Sequence, residues 1–344
     1  MSTPIAAAGF LPPAHLPLAR VPTPLEPLPR AGAGLGLPLW VKRDDLTGTE
    51  LTGNKVRKLG FLCAEALERG ADTLITCGAV TSNHARATAL VAARLGLRCQ
   101  LLLRGTGAEP PDGNLLLDLL AGAAIEYVTP EGWRERDVRM GAMAERLRAQ
   151  GRRPYVIPEG GSNALGSLGY ALAVRELLEQ AADLGVEVGT LVHATGSGGT
   201  TAGLALGCAA WGRPDIDVVG VAVCDDAATF DRRVAGILDQ AVGLWYAGPD
   251  LRAACRWRIV DGHQGQGYAR TTPAELREQA LLARSEGLVL DPVYTGKAWL
   301  GLQAEARAGR LRRDAATVFV HTGGLLGLFA FAREVREALG GAGA

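Results

Sequence analysis

Strand-like and helix-like segments alternate along almost the whole of this 344-residue chain. Short apolar runs such as 73–80 (TLITCGAV), 190–198 (TLVHATGSG) and 217–224 (DVVGVAVC) are typical of strands buried in a sheet. The segment 84–96 (HARATALVAARLG) has helical spacing and ends in glycine. Strands separated by helices imply right-handed βαβ units, so we predict an α/β fold with largely parallel sheets.

The rest of the chain extends this pattern. A helix is predicted from Asn54, whose side chain is a good N-cap, to a stop at Gly70. Residues 1–38 are rich in proline and glycine and are predicted to form an extended lead-in over a domain surface. The other predicted elements are strands at 37–45, 99–105, 124–130, 153–160, 288–296 and 317–324, and helices at 114–122 and 165–182.

The composition argues against several classes of protein. Apolar residues make up 48% and charged residues 21%, which is enough for a sizeable core and for two α/β domains. The net charge of zero gives no indication of nucleic acid or an anionic membrane as a partner. The six cysteines form no CxxC pair and have no histidine at ligand spacing, so we expect reduced thiols and no metal. No stretch could span a bilayer and no signal peptide is recognisable, so we expect a cytoplasmic protein.

The chain has only four lysines, Lys42, Lys55, Lys58 and Lys297. Lys55 lies in the first turn of the helix that begins at GNKVRKL, where the helix dipole disfavours an ammonium and lowers its pKa. Lys58, one turn on, adds a second positive charge that favours a neutral amine and suits a phosphate. A neutral, rigidly held lysine attacks carbonyl groups, although such a segment alone is more often a solvated helix start.

A glycine-rich turn, TGSGGTTAGL at 195–204, joins a predicted strand to a predicted helix. Its glycines let backbone N–H groups converge and the helix N-terminus adds its dipole, which is typical of a phosphate cradle. No Lys-Ser or Lys-Thr follows as in a P-loop, and Thr201 stands where a dinucleotide fingerprint from Gly196 needs its third glycine. The neighbouring Thr200 and Thr201 suit a monophosphate, and a tight strand-to-helix turn is the structural alternative.

Three more strand ends carry polar residues. Ser82 and Asn83 in VTSNHAR either cap a helix or offer polar groups to a carboxylate or phenolate, and His84 alone would more often be structural. Tyr294 in LDPVYTGKA is either a core tyrosine or a residue that stacks on a ring or moves a proton. Thr322, before a glycine pair, is either an N-cap or a partner for a ring nitrogen.

Together these motifs resemble one family of enzymes. In chain order they read KRDDLTG, GNKVRKL, TSNHAR, TGSGGTTAG, LDPVYTGKA and HTGG, and the similarity runs from about Leu39 to Ala330. The pattern is similar to the D-cysteine desulfhydrase and 1-aminocyclopropane-1-carboxylate (ACC) deaminase group of pyridoxal 5′-phosphate (PLP) enzymes, within the tryptophan synthase β superfamily. The resemblance implies the two-domain type II fold, with 56–164 as a smaller domain inserted into a larger one formed by 1–55 and 165–344. It also implies PLP between the domains and a homodimer.

The resemblance assigns the cofactor to particular residues. Lys55 would carry PLP as a Schiff base, and Asn83 would donate a hydrogen bond to its phenolic oxygen. Thr322 would form a hydrogen bond with the pyridine nitrogen. Because Thr322 carries a hydroxyl and not a carboxylate, it does not require that nitrogen to be protonated. The phosphate would be bound by Lys58, Thr195, Gly196, Ser197, Gly198, Gly199 and Thr200.

The resemblance also assigns the substrate, a small amino acid. Lys55 would move its Cα proton, and Ser82 would hold its carboxylate or shuttle a proton, with Asn83 and His84 beside it. Tyr294 would stack near the ring and act as acid or base. A second active-site tyrosine would be Tyr268, in HQGQGYAR.

Two differences between this sequence and the ACC deaminase motifs bear on the choice of substrate. ACC deaminases carry Tyr-Glu where this chain has Tyr294-Thr295, and Ser-Asn-Gln where it has Ser-Asn-His at 82–84. Both favour the desulfhydrase side, which turns D-cysteine and water into pyruvate, H2S and NH3 by α,β-elimination. ACC deaminase and L-cysteate sulfo-lyase activities on the same scaffold stay open.

Two alternatives from other classes also stay open. A nucleotide-binding oxidoreductase would place TGSGGTTAG on a pyrophosphate and Asp225 on a ribose, but it leaves GNKVRKL unexplained. A catalytically silent PLP-binding protein would keep Lys55 and show no turnover. Lys297 is an alternative Schiff-base lysine, which the family pattern disfavours because GNK, and not GKA, matches it.

Overall fold

The structure, a computed structural model, describes residues 12–245 and 251–340; residues 1–11 of the predicted lead-in lie outside them. Its strands are β1 (Leu25–Pro27), β2 (Leu39–Lys42), β3 (Thr73–Ala79), β4 (Arg98–Arg104), β5 (Ala124–Val128), β6 (Pro154–Val156), β7 (Val188–Thr195), β8 (Asp217–Ala222), β9 (Arg258–Val260) and β10 (Ala316–Val320). Its helices are α1 (Pro29–Leu35), α2 (Lys55–Glu68), α3 (Asn83–Arg94), α4 (Gly113–Leu120), α5 (Arg136–Ala149), α6 (Ala164–Asp183), α7 (Gly199–Ala210), α8 (Ala227–Trp245), α9 (Leu251–Ala254), α10 (Pro273–Glu286), α11 (Thr295–Arg307), α12 (Leu325–Leu328) and α13 (Ala332–Gly340).

The described strands form two sheets. One has the order β1-β2-β10-β7-β8-β9 and is parallel throughout except for the antiparallel pair β1–β2. The other has the order β5-β4-β3-β6 and is entirely parallel. The predicted α/β class with largely parallel sheets is therefore confirmed.

The two sheets draw on separate parts of the chain. The four-stranded sheet takes its strands from within 73–156, whereas the six-stranded sheet takes them from 25–42 and 188–320. The chain therefore enters the smaller sheet after α2 begins and leaves it before α7. This segregation supports the domain boundaries proposed above, which stay a proposal.

The largest apolar core packs helices against the inner faces of both sheets. Helix α6 lies against α2 and α7, and Leu59, Leu168 and Leu204 are almost completely buried where these helices meet. Every residue of β7 is buried, as expected for a central parallel strand covered on both faces. The site below therefore stands on elements that close packing holds rigidly.

Two predicted segments are wrong in part. The segment 288–296 is not a strand, because the Asp291 carboxylate accepts hydrogen bonds from the N–H groups of Val293, Tyr294 and Thr295, each at 2.9 Å. These bonds turn the chain into α11 and take the backbone donors that a sheet would need. The lead-in at 1–38 is not simply extended, since it contains β1 and α1.

Two expectations from composition can be compared with the structure. The cysteines are free thiols, and all except Cys224 are buried. Within residues 12–245 and 251–340, none of the helices combines the length and the apolar character that crossing a bilayer requires.

Candidate active site

A cavity of about 360 Å³ lies where the carboxyl ends of the two sheets face each other. Its walls come from the carboxyl ends of the strands from β2 to β10, from the segments that follow them, and from Tyr294 before α11. Parallel strands place their carboxyl ends at one edge of a sheet, so residues far apart in the chain meet there. The volume falls in the range of small-molecule sites, roughly 300–1,000 Å³.

The cavity brings most of the predicted site residues together. Lys58 and Gly199 do not line it. The predicted residues that do line it are Lys55, Ser82, Asn83, His84, Thr195, Gly196, Ser197, Gly198, Thr200, Tyr268, Tyr294 and Thr322.

Lys55, the first residue of α2, is partly buried and faces the cavity. Burial lowers the pKa of its amine to about 8, and the negative charge of Glu159 opposes this shift. An amine with this pKa is neutral in about a tenth of molecules at pH 7, which makes it a usable nucleophile and base. Its position at the start of the helix agrees with the prediction.

Lys58 lies behind the cavity wall. Its Nζ is almost fully buried and donates to the Gly160 carbonyl and the Ser162 hydroxyl, each at 3.3 Å. Burial lowers the pKa of Lys58 far below its usual value, and the charge of Lys55 lowers it further. Its direct contact with a phosphate stays a prediction.

The prediction that the Asn54 side chain caps α2 is wrong. Asn54 has helical backbone angles and makes no capping bond with its side chain. Its Nδ2 donates instead to the Thr200 hydroxyl at 3.0 Å, and its backbone N–H donates to the Thr322 carbonyl at 3.1 Å. The start of α2 is therefore fixed by two long-range contacts rather than by a local cap.

The glycine-rich turn forms an open cradle at the start of α7. Gly198, at the N-cap, has a positive φ of 88°, and the Gly199 N–H donates to the Ser162 hydroxyl at 3.2 Å. A Cβ on Gly199 would lie 2.6 Å from the Ser162 hydroxyl and 2.9 Å from Lys58 Nζ, so only glycine fits. The first-turn N–H groups of a helix lack intrahelical acceptors, and here Thr200 and Thr201 bring theirs to the cavity wall, as an anion site requires.

At the start of α3, Ser82 and Asn83 have different contacts. Ser82 Oγ accepts from the N–H groups of His84 and Ala85, both at 3.2 Å, so it is the helix cap. Asn83 Oδ1 accepts a 2.9 Å bond from Asn114, whose own oxygen accepts from an arginine. An arginine can only donate, so the atom of Asn114 that it contacts must be the amide oxygen. The Asn114 nitrogen therefore donates to the Asn83 oxygen, and the Asn83 nitrogen remains as a donor toward the cavity.

His84 is a neutral wall residue. Burial lowers its pKa well below the usual value, and the charge of Lys55 lowers it further. The Thr76 hydroxyl donates to the Ile157 carbonyl at 2.9 Å, so it can only accept from His84 Nε2, also at 2.9 Å. The proton of His84 therefore lies on Nε2, and the residue brings no positive charge to the site.

Tyr268 and Tyr294 form a pair on the opposite wall. Their hydroxyl oxygens are 2.6 Å apart, and the rings meet edge to face with centroids 5.8 Å apart. Burial raises the pKa of Tyr268 to about 12 and raises that of Tyr294 well above its usual value. Both phenols are therefore protonated near neutral pH, and the one that accepts within the pair keeps its own proton for donation.

The alternative lysine is engaged elsewhere. Lys297 does not line the cavity, and its Nζ donates to the Gln264 and Gly267 carbonyls, both at 2.7 Å. These bonds fix the loop that carries Tyr268. Lys55 is therefore the lysine that this cavity offers for covalent chemistry.

Some lining residues were not predicted. Arg104 is the last residue of β4, Trp133 follows β5, and Glu159 follows β6 and pairs with Arg136 at 2.9 Å. Burial raises the pKa of Glu159. Arg104 and Glu159 lie at the carboxyl ends of predicted strands and Trp133 lies just after one, which was a usable signal because ligands in parallel sheets bind there.

Known proteins resemble this chain over nearly its full length. A family model described as pyridoxal-phosphate dependent enzyme matches residues 16–323. A D-cysteine desulfhydrase of Salmonella choleraesuis is 44% identical over 322 residues, which are 92% of this chain and 96% of that protein. A crystal structure of an ACC deaminase homologue superposes with a TM-score of 0.85 at 36% identity, over 98% of this chain and 100% of that one. A fungal L-serine ammonia-lyase from Rhizomucor miehei has the same fold, with a TM-score of 0.67 at 20% identity over 93% and 98% of the chains.

Proposed function

Because this chain belongs to the family of pyridoxal-phosphate dependent enzymes, we propose that it is a lyase that converts D-cysteine and water into pyruvate, H2S and NH3. The observation that carries the proposal is that one cavity contains the Lys55 amine, the glycine-rich start of α7 and the pair Tyr268–Tyr294. The identity of 44% to a D-cysteine desulfhydrase supports the choice of substrate. The nucleotide-binding oxidoreductase considered above has no such support.

The residues present fit the cofactor. The cradle favours glycine at Gly198 through its positive φ and at Gly199 through lack of space, and it offers backbone N–H groups to the phosphate. Asn83 would donate its amide to the phenolic oxygen, and Thr322 would meet the ring nitrogen. Lys55 would hold the aldehyde carbon covalently. When bound, PLP supplies an electron sink for the carbanion that forms at the substrate Cα.

The side chains supply binding and proton transfer. The Asn83 amide and the Ser82 hydroxyl hold the substrate carboxylate on the α3 side of the cavity. Lys55, as a neutral amine, removes the Cα proton. The pair Tyr268–Tyr294 donates a proton to the sulfur that leaves from Cβ, since both phenols keep their protons at neutral pH.

Thr295 supports desulfhydration over ring opening. Its hydroxyl donates to Asp291 Oδ1 at 2.7 Å and its side chain is almost fully buried. Thr295 therefore brings no carboxylate to the position beside Tyr294 where ACC deaminases carry glutamate. ACC deamination remains the second candidate because an ACC deaminase homologue is a structural neighbour at 36% identity.

The assembly and location are part of the proposal. We infer a homodimer, as the family resemblance implies, and a cytoplasmic location, as the sequence predicts. The substrate is a small amino acid, and no nucleic acid or membrane is expected to take part. The smaller domain, 56–164, would form one wall of the cavity and the larger domain the other.

A single set of assays tests the proposal. Purified holoenzyme is incubated with D-cysteine, L-cysteine, ACC and L-cysteate, and pyruvate, sulfide and sulfite are measured. D-cysteine should give equal amounts of pyruvate and sulfide, and Lys55→Ala should give neither. Borohydride reduction followed by peptide mapping should place the cofactor on the peptide that contains Lys55. Turnover of ACC but not of D-cysteine, or attachment at another lysine, would overturn the proposal.

A further inference from the structure

A buried cation lies behind the part of the cavity wall that carries Asn83. Arg86, about one turn further along α3, is completely buried and does not line the cavity. Its guanidinium donates to the side-chain oxygen of Asn114 at 3.2 Å. It also donates to the backbone carbonyls of Glu50 and Thr52, in the segment that leads to α2. All of these acceptors are neutral carbonyl groups, so Arg86 is bound through dipoles and not through an ionised carboxylate.

Arg86 keeps its charge at neutral pH. Burial lowers its pKa to about 10, which leaves the guanidinium protonated. The charge of Asp118, on α4, opposes this shift, but burial raises the pKa of Asp118 itself to about 8. Asp118 is therefore mostly protonated at pH 7 and does not neutralise Arg86. A buried charge of this kind polarises the groups that are hydrogen-bonded to it more strongly than a solvated charge does.

Two side-chain amides extend from Arg86 toward the cavity, and both point in the same direction. Since the Asn114 oxygen accepts from Arg86, the Asn114 nitrogen is the donor to Asn83 Oδ1, at 2.9 Å. The same nitrogen donates to the Thr81 carbonyl at 2.8 Å, which fixes the Asn114 amide a second time. Arg86, Asn114 and Asn83 therefore form one network of successive donors, in which each hydrogen bond strengthens the next.

The network is packed too closely for water to replace its bonds. Asn114 is almost fully buried, and the buried Gly327 of α12 lies against it. A Cβ on Gly327 would be 3.1 Å from Asn114 Nδ2 and 3.6 Å from Asn83 Oδ1. If the Asn83 amide were reversed, its nitrogen would face the Asn114 nitrogen and two donors would be opposed. The packing therefore keeps the Asn83 amide in one orientation.

Resting on the proposed function, we propose that Arg86 and Asn114 are positioning residues that hold the Asn83 amide as a donor toward the phenolic oxygen of the cofactor. Neither residue lines the cavity, so both act through Asn83. A donor that is fixed in direction and polarised by a buried cation stabilises the ionised phenol. A reversed amide would present its oxygen and would favour the protonated phenol instead.

The absorption spectrum of the holoenzyme tests this assignment without any turnover. Cofactor with an ionised phenol absorbs in the visible, whereas cofactor with a protonated phenol absorbs in the near ultraviolet. Asn114→Asp keeps the size of the side chain and an acceptor for Arg86, which neutralises the new charge, but its carboxylate can only accept from Asn83. The Asn83 amide should therefore reverse. The ratio of protonated to ionised phenol should rise at least about tenfold, the factor expected for loss of a hydrogen bond to a charged group.

A comparison with alanine separates a positioning role from a structural one. Asn114→Ala leaves the Asn83 amide free to rotate and should raise the ratio less than Asn114→Asp does. If Asn114 served only to pack α4, the nearly isosteric change to aspartate would instead be the milder one. In an Asn83→Ala background, neither change at Asn114 should alter the ratio further, because the amide through which they act is absent.

Two further variants complete the set. Arg86→Lys keeps the buried charge and should preserve more of the ionised phenol than Arg86→Met, which removes both the charge and the donor. The matched control is Leu115→Ala, at the neighbouring buried position of α4. It should lower the melting temperature through lost packing and leave the spectrum unchanged.

Three results would overturn the assignment. They are a wild-type cofactor whose phenol is mainly protonated, a ratio for Asn114→Asp no higher than that for Asn114→Ala, and an equal effect of Asn114→Asp with and without the Asn83 side chain. If Asn114→Asp does not fold, Asn114→Ala with and without the Asn83 side chain carries the same comparison. A holoenzyme with the expected spectra that does not turn over D-cysteine would refute the proposed function alone, because the spectra report on the cofactor and not on the substrate.

Discussion

The side-chain amide of Asn54 donates a 3.0 Å hydrogen bond to the hydroxyl of Thr200, 146 residues further along the chain. Asn54 immediately precedes Lys55, and Thr200 belongs to the glycine-rich turn. The bond therefore connects the amine that would hold the cofactor carbon to the cradle that would hold its phosphate. A cofactor bound at both ends requires these two points to keep a fixed separation.

Removal of this bond should weaken cofactor binding. We expect Asn54→Ala and Thr200→Val each to raise the PLP dissociation constant about five- to tenfold, because a buried hydrogen bond contributes about 1 kcal/mol. The double variant should lose little more than either single variant, since both remove the same contact. Absorbance titration of the apoprotein with PLP measures all four constants, and fully additive losses would contradict the coupling.

The rate of cofactor uptake should depend on pH through Lys55. Burial lowers the pKa of its amine to about 8, and only the neutral amine attacks the aldehyde. The second-order rate for PLP uptake should therefore rise with pH and level off above about pH 8, with about a tenth of the plateau rate at pH 7. Stopped-flow absorbance of the apoprotein measures this profile.

Glu159 provides a check on that profile. Its negative charge raises the pKa of Lys55 and so opposes the effect of burial. Glu159→Gln should therefore shift the midpoint to lower pH. A midpoint near that of a free lysine, about 10.4, would show that the amine is solvated and would contradict the structure.

The tyrosine pair should act on chemistry more than on binding. We expect Tyr268→Phe and Tyr294→Phe each to lower kcat for D-cysteine by about 10²-fold, the usual contribution of a positioned acid, with a smaller change in KM. Because burial raises the pKa of Tyr268 to about 12, activity should not fall through tyrosine ionisation at pH 10. Tyr127→Phe, on an exposed position of β5, is the control and should leave kcat unchanged.

A buried ion-pair cluster beneath α2 should contribute strongly to stability. Asp44 is completely buried and accepts from Arg57 at 2.8 and 2.9 Å and from the Tyr170 hydroxyl at 2.6 Å. Asp44→Asn should lower the free energy of unfolding by about 2–3 kcal/mol, because Arg57 loses one of its two carboxylate partners and keeps only Glu176. Denaturant unfolding should show this loss, whereas Asp215→Asn in an exposed pair should cost under about 1 kcal/mol.

The contribution of Asp44 to the free energy of unfolding should depend on pH in a defined direction. Burial is the largest single effect and raises the pKa of Asp44, but the charge and hydrogen bonds of Arg57, the charge of Lys42 and the Tyr170 hydrogen bond together outweigh it and hold the pKa below its usual value. A carboxylate with a depressed pKa stabilises the fold above the unfolded pKa of about 3.9 and loses this contribution as the pH falls. The stability difference between the wild type and Asp44→Asn should therefore shrink below about pH 4.

Local sequence patterns were sufficient to predict most strands and the residues that could react or bind a phosphate. The alternation of apolar runs with helical segments predicted most strands within a few residues, because burial on both faces of a parallel strand imposes a continuous apolar run. Lys55 at a helix start and the glycines at 196–199 were also visible locally, since helix dipoles and positive φ angles act over one turn of chain.

Only the tertiary structure decided how these groups are used. Asn54 bonds Thr200 instead of capping its helix, Lys58 lies behind the cradle, and 288–296 becomes a carboxylate-capped turn. Arg104 lies over the rings of Trp133 and Tyr268, which come from segments after other strands. Each outcome depends on contacts between side chains that the two sheets bring together, and no local periodicity or propensity encodes such contacts.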